Sequence, residues 1–320
     1  MDEHLDADNP PVDQNVGGGP TENNDAGGSP TNADNTRGGP NADKLELTKV
    51  LKKATMDDRT VIITVLNEAW ALPGSIFDLF LESFHIGEQT EKLLNHLVVV
   101  ARDPKAFRRC KLIHKYCFLV QTQATDFSGE KSHDYLKFRS LELLTSVLDL
   151  GYNFIYTDTD IMWLRNPISH FSNEAQITIA SDYFCGNSSD QRNQAICGFL
   201  YVKSNGQTIE FFKYWIMSRT VYPNKNEQQI FNIIKQDGYA TRLALEVRFL
   251  DTTHFGGLCY PNKDLSKVCT VHANCCVGVK RKIHDLKIFL EDWKNYTSRP
   301  EAERKRSGIS WRVPDKCKLS

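Results

Sequence analysis

Residues 154–167 read Phe-Ile-Tyr-Thr-Asp-Thr-Asp-Ile-Met-Trp-Leu-Arg-Asn-Pro. An apolar run leads into two carboxylates, Asp158 and Asp160, and a second apolar run follows. In an extended chain, residues two apart point to the same side, so both carboxylates can meet one cation. Two like charges at the end of a buried strand are costly unless something positive sits between them. Hard divalent ions such as Mn²⁺ or Mg²⁺ suit such a pair, with phosphate oxygens and waters completing the shell. A solvated turn is the plain alternative for an Asp-X-Asp triplet. The strand before it and Trp163-Leu164-Arg165-Asn166-Pro167 after it favour the metal. Trp163, Leu164 and Pro167 are expected to brace this loop rather than touch substrate.

Working outward, strands and helices alternate. Val61-Ile-Ile-Thr-Val-Leu66 reads as a buried strand, with a helical stretch from about Pro73 through Phe84. His96-Leu-Val-Val-Val-Ala101 reads as a second strand, ended by Arg102-Asp103-Pro104. Residues 134–150 form the clearest helix: Asp134 can cap its start, Leu141, Leu144 and Leu148 share a face, and Gly151 ends it. The strand into Asp158 comes next. This order predicts an α/β fold with a doubly wound sheet, in which ligands bind beyond the carboxyl ends of the strands, where Asp158 and Asp160 lie. Strands at 177–180 and 198–202 and helices at 207–218 and 227–236 follow.

The first 43 residues differ in kind. They hold nine acidic residues and one Arg, a net charge of −8, which leaves +7 for the rest of the 320-residue chain. Rich in Asn, Asp, Gly and Pro, and repeating Gly-Pro or Ser-Pro endings at Pro20, Pro30 and Pro40, they cannot bury enough apolar surface to offset the entropy of ordering. A disordered spacer over 1–43, a catalytic domain over 44–298 and a basic tail over 299–320 are expected. The mildly basic body suits an anionic ligand. Nucleic-acid binding is not expected, because the basic cluster Arg299–Arg306 is short and interrupted by two Glu. No apolar window is long enough to span a bilayer or to form a signal peptide. A membrane link would therefore need an anchor outside this sequence, and a soluble cytoplasmic protein is the alternative.

Nine cysteines include Cys110 and Cys117, close enough for local pairing, and a cluster of Cys259, Cys269, Cys275 and Cys276. The odd count leaves at least one thiol unpaired. No Cys-X-X-Cys occurs, which argues against a structural zinc. With the sequons at Asn187 and Asn295, the clustering favours an oxidising lumen over buried free thiols.

The segment Tyr-Thr-Asp-Thr-Asp-Ile-Met-Trp-Leu-Arg-Asn-Pro, at 156–167, resembles the plant nucleotide-diphospho-sugar transferases. That group includes the rhamnogalacturonan xylosyltransferases and the extensin arabinosyltransferases. The resemblance covers roughly residues 60 to 298 and implies a GT-A fold, Rossmann-like with a doubly wound mixed sheet. It implies a metal-dependent glycosyltransferase, with Mn²⁺ or Mg²⁺, acting on a nucleotide-sugar donor (a UDP-sugar first) with retention. It further implies a glycan or glycoprotein acceptor, a Golgi lumen location and a role in plant cell-wall synthesis.

Individual residues follow from the same resemblance. His272, after a short apolar strand and before Gly278 and Lys280, is similar to the His of GT-A enzymes related to glycogenin. It implies a third metal ligand, with Gly278 letting backbone approach the diphosphate and Lys280 contacting it; a structural His is the plain alternative. Asn226-Glu227-Gln228 resembles the acidic-Gln pair near the anomeric carbon of retaining enzymes, with Glu where Asp is usual. Asp182, after a strand, is a candidate for sugar hydroxyls or a loop cap. Thr64, Asn67 and Asp103 stand where GT-A folds hold base and ribose, and Arg139 where the family turns an Arg to the donor. Each can equally be a surface or capping residue. Two rivals to the enzyme reading are a non-catalytic nucleotide-sugar-binding scaffold and a metal-dependent phosphohydrolase. Cys197 beside Gly198, where many relatives carry a small polar residue, bears on the first. The second usually needs more ligands.

Overall fold

The computed structural model describes residues 40–120, 133–259, 263–304 and 308–317, all within one compact unit. The expected spacer lies outside the described residues up to position 39.

The first half alternates helices and strands: α1 (Pro40–Ala54), β1 (Thr60–Leu66), α2 (Glu68–Ala71), α3 (Ile76–Ile86), β2 (Leu97–Ala101), α4 (Pro104–Ile113) and β3 (Cys117–Leu119). It continues with α5 (His133–Asp149), β4 (Asn153–Thr157) and β5 (Ile161–Trp163). The second half contains β6 (Ile177–Tyr183), β7 (Gln194–Val202), α6 (Gly206–Val221), α7 (Glu227–Ile234), α8 (Gly238–Arg242) and β8 (Val247–Phe249). β9 (Phe255–Gly257), β10 (Thr270–His272), α9 (Val279–Thr297) and α10 (Glu301–Arg304) complete it.

β1 and β2 are unbroken runs of β-branched and aliphatic residues, the pattern of parallel strands covered on both faces. They sit inside a seven-stranded sheet of order β3-β2-β1-β4-β7-β6-β8. The β3-β2-β1-β4 half is parallel, β7 runs antiparallel to β4 and β6, and β8 is parallel to β6. The sheet divides two cores by strand alternation. Ile62, Leu66, Val99 and Ile155 face one core with α3 and α9, while Val61, Ile63, Val98 and Phe154 face the other with α5, α6 and α7. This is the expected doubly wound mixed sheet of an α/β fold. A second sheet, β5-β10-β9, pairs His272 with Ile161 across antiparallel strands and with Gly257 in parallel.

Several expectations shift. The helix expected from Pro73 starts at Ile76, because Gly74 at φ 74° and Ser75 form a turn first. Asp158-Thr159-Asp160 is not extended strand but the turn between β4 and β5. α1 begins inside the expected spacer and buries Leu47, Leu51 and Ala54, so the domain starts before residue 44. The cap at Asp134 lies outside the described side chains.

The expected basic tail is anchored instead. Trp311, Val313 and Cys317 are buried, Cys317 is bonded to Cys276, and the buried Asp285 carboxylate accepts from the amides of Asp315, Lys316 and Cys317. A carboxylate holding three amides is a strong fastening that leaves no trace in charge counting. Cys110–Cys117 pairs locally, and Cys259–Cys275 closes a loop that contains β10. Cys185, Cys197 and Cys269 take part in no disulfide. No helix among the described residues is long and apolar enough to cross a membrane.

Candidate active site

β4 delivers Asp158 beside the crossing strand β7. The register sets Thr157 opposite Phe199, and the Asp158 amide donates to the Gly198 carbonyl at 2.7 Å. The turn is then fixed from below. Thr159 donates to the Val65 carbonyl at 2.9 Å, and its hydroxyl lies 3.0 Å from that of Thr64. Trp163, fully buried, donates to the Thr157 hydroxyl and stacks on Phe84, which bears out its bracing role. Leu164 also braces, its amide donating to the Cys269 carbonyl.

β10 brings His272 to the same place. Its Nε2 lies 3.3 Å from Asp160 Oδ1 and 4.0 Å from Asp158 Oδ2, and the three residues offer ligand atoms within 4.8 Å of one another. Asp160 is 1 % exposed, yet Lys282 pairs with its second oxygen. Burial raises the Asp160 carboxyl, but His272 and Lys282 outweigh it and hold the group below the usual carboxylate range. Tyr156 donates to Asp158 Oδ1 at 2.8 Å.

Two features fit this group to a cation. His272 turns Nε2 toward both carboxylates, the nitrogen through which an imidazole would share one cation with them. A Cβ at residue 198 would stand 2.8 Å from the His272 ring and 2.9 Å from Asp158 Oδ2, so only glycine leaves the ligands their space. Two carboxylates and an imidazole suit Mn²⁺ or a similar divalent ion.

Beside this group, Asp182 on β6 lines a cavity together with His272, Asn274 and Gly257. Asn274 donates to Asp182 Oδ1 at 3.2 Å and Gln228 to Oδ2 at 3.4 Å. Burial pushes the Asp182 carboxyl up despite these partners and His272. Gln228 also accepts from the Cys197 amide, so α7 is tied to β7 and β6 at once. Glu227 opens α7 and lines a separate small cavity with Tyr156, Ser140 and Cys197.

The other expected residues lie in varied places. Asn67 caps α2 and Asp103 caps α4 while also accepting from the Glu68 amide. Thr64 is fully buried under the turn. Arg139 is exposed on α5 and pairs with Glu142 at 2.7 Å. Gly278, at φ 92°, is the N-cap of α9, and Lys280 is exposed in its first turn.

Sequence reading missed Arg102, Asn274 and Lys282. Arg102 follows β2, donates to Ser140 at 2.7 Å and lies within electrostatic reach of Asp158 and Glu227; burial lowers its pKa and those acids oppose the shift. Lys282 had a signal: it sits two residues beyond Lys280 in the basic opening of α9. Asn274 had none, since only folding sets it against Gly257, where a Cβ would meet its amide at 2.4 Å.

Comparison with known proteins identifies the family. A family model described as nucleotide-diphospho-sugar transferase matches residues 92–286. An Arabidopsis thaliana protein described as uncharacterized is 44% identical over 283 residues, 86% of this chain and 74% of its own. A UDP-galactose:fucoside alpha-3-galactosyltransferase of Dictyostelium discoideum is 28% identical over 164 residues, 44% of this chain and 25% of that protein. Among solved structures, a glycosyltransferase involved in glycosylating the major capsid of PBCV-1 aligns with a TM-score of 0.44 at 11% identity, covering 71% of this chain and 98% of that one. The family match spans the Asp158–Asp160 turn and His272, and the chain belongs to the nucleotide-diphospho-sugar transferases, which are glycosyltransferases.

Proposed function

We propose that this protein transfers a sugar from a UDP-sugar to a glycan or glycoprotein hydroxyl, with a divalent cation, Mn²⁺ or Mg²⁺, held by Asp158, Asp160 and His272. The observation that carries the reading is the glycine cradle: residue 198 must lack a Cβ for His272 and Asp158 to converge beside Asp160. The bound cation would supply positive charge to the departing diphosphate. Lys280 and the uncapped amides of α9, opened by Gly278, add the charge and donors an anion needs. Lys282 keeps Asp160 ionised, and Arg102 balances Asp158 and Glu227.

Asp182 and Gln228 share one hydrogen-bonded unit next to His272, placed to hold sugar hydroxyls near the anomeric carbon, with Glu227 one residue away on the same helix start. Transfer keeps the anomeric configuration, a reading supported by the acidic-Gln pair. Thr64 acts through the turn beneath the carboxylates. Asn67 and Asp103 shape the strand ends where base and ribose would lie, and Arg139 is the residue the family turns to the donor. Three disulfides and two sequons support the Golgi lumen as its location, and the resemblance to plant cell-wall glycosyltransferases supports cell-wall glycans as acceptors.

A screen of UDP-sugars by UDP release, with Mn²⁺ and with a chelator, tests the proposal. One donor turning over only with the cation is expected. Release of UDP from none, or equal release in the chelator, would overturn it.

A further inference from the structure

The geometry points to a second metal site, distinct from the Asp158–Asp160–His272 group, in which His170, His254 and Cys269 bind a borderline-soft ion such as Zn²⁺. Their ligand atoms lie within 4.8 Å of one another, and His170 Nε2 is 3.4 Å from the Cys269 sulfur. Tetrahedral zinc, with Zn–S near 2.3 Å and Zn–N near 2.0 Å, sets sulfur and nitrogen about 3.5 Å apart. The observed spacing is that span.

Hydrogen bonds to atoms beyond the ligands already orient them. His254 Nδ1 lies 2.8 Å from the Lys267 carbonyl, which can only accept, so Nδ1 carries the proton and Nε2 keeps its lone pair for a metal. Cys269 is 3 % exposed and unpaired, with backbone fixed on both sides: its amide donates to the His254 carbonyl at 2.7 Å, and its carbonyl accepts from the Leu164 and Arg165 amides. The His170 ring packs against that of His254 at 4.5 Å and edge-on to Phe255. His170 is exposed, which leaves an entry path and room for a water as fourth ligand. As the metal enters, the Cys269 sulfur–hydrogen bond gives its proton to solvent and the sulfur binds as thiolate.

The location gives the site a purpose. His254 precedes β9, Cys269 precedes β10, and His170 follows β5, so the three ligands gather at one end of the small sheet. His272 closes β10 at the other end, roughly 10 Å away for three extended residues. A zinc ion here would pin the strand that presents His272. The missing Cys-X-X-Cys motif hid the site, because its ligands come from three separate segments.

Cobalt is the probe: the purified full chain is stripped with a chelator and titrated with Co²⁺. A near-ultraviolet thiolate-to-cobalt band is expected, kept in Asp160→Ala and lost in Cys269→Ser. His170→Gln changes an exposed side chain and tests the site without disturbing the core. It should weaken the band's Co²⁺ affinity at least about a hundredfold, since losing even a contact that orients a ligand costs roughly ten- to a hundredfold. No thiolate band in the parent, a band kept in Cys269→Ser, or unchanged affinity in His170→Gln would overturn the proposal.

Discussion

In the parallel half of the large sheet, polar groups at the strand ends close on their neighbours: Asn67 caps α2, Asp103 caps α4, and Thr64 bonds Thr159. In the small sheet the reverse holds. Asp160 and His272 meet from segments more than a hundred residues apart, and His272 Nδ1 is left buried without a partner. The first half is therefore a self-satisfied scaffold held by apolar burial and local caps. The second is a gathering of distant ligands that needs covalent and ionic fastening to stay in place. Unsatisfied polarity, more than polarity itself, separates a site from a scaffold.

The disulfides give the largest contrast. Cys110–Cys117 closes seven residues in the parallel half, whereas Cys276–Cys317 closes 41 across the second. In the chain-entropy account, removing the long link should cost about 4 kcal/mol and the short one about 2 kcal/mol. Denaturant unfolding of Cys276→Ser/Cys317→Ser beside Cys110→Ser/Cys117→Ser checks this. Equal costs would mean that the second half does not rely on its long link.

A smaller effect is expected at Gly198, where the two regions touch. Gly198→Ala pushes a methyl against His272 and Asp158. Displacing a ligand or reacting group by about 1 Å costs on the order of a hundredfold in rate, or about 2.7 kcal/mol. Turnover should fall by that factor while the melting temperature stays within a few degrees. Undiminished turnover would mean the ligands do not need this cradle.

The same contrast explains what the sequence disclosed. β1, β2, β4 and the Leu141–Leu144–Leu148 face of α5 were legible because apolar periodicity is a local signal. Asp158 and Asp160 were legible because two carboxylates after a buried strand are costly without a counter-ion. Arg102 and Asn274 were not, since their roles exist only once β2, β6 and β10 are assembled. The C-terminal segment was misjudged for a related reason. Its Arg and Lys residues suggested a solvated tail, while its anchors, Trp311, Val313 and Cys317, are too few and too scattered to form a periodic pattern.

The most direct test is calorimetric titration of UDP into the full chain at rising Mn²⁺, for the parent, Asp160→Ala, His272→Ala and Lys280→Ala. The parent should bind UDP more tightly as Mn²⁺ rises, Asp160→Ala should lose that dependence, and excess Mn²⁺ should partly restore His272→Ala. Lys280→Ala should stay roughly ten- to a hundredfold weaker even at saturating Mn²⁺, the worth of one charge-assisted hydrogen bond. UDP affinity that is the same in Mn²⁺ and in a chelator, or unaltered in Asp160→Ala, would contradict a cation held between these carboxylates and His272.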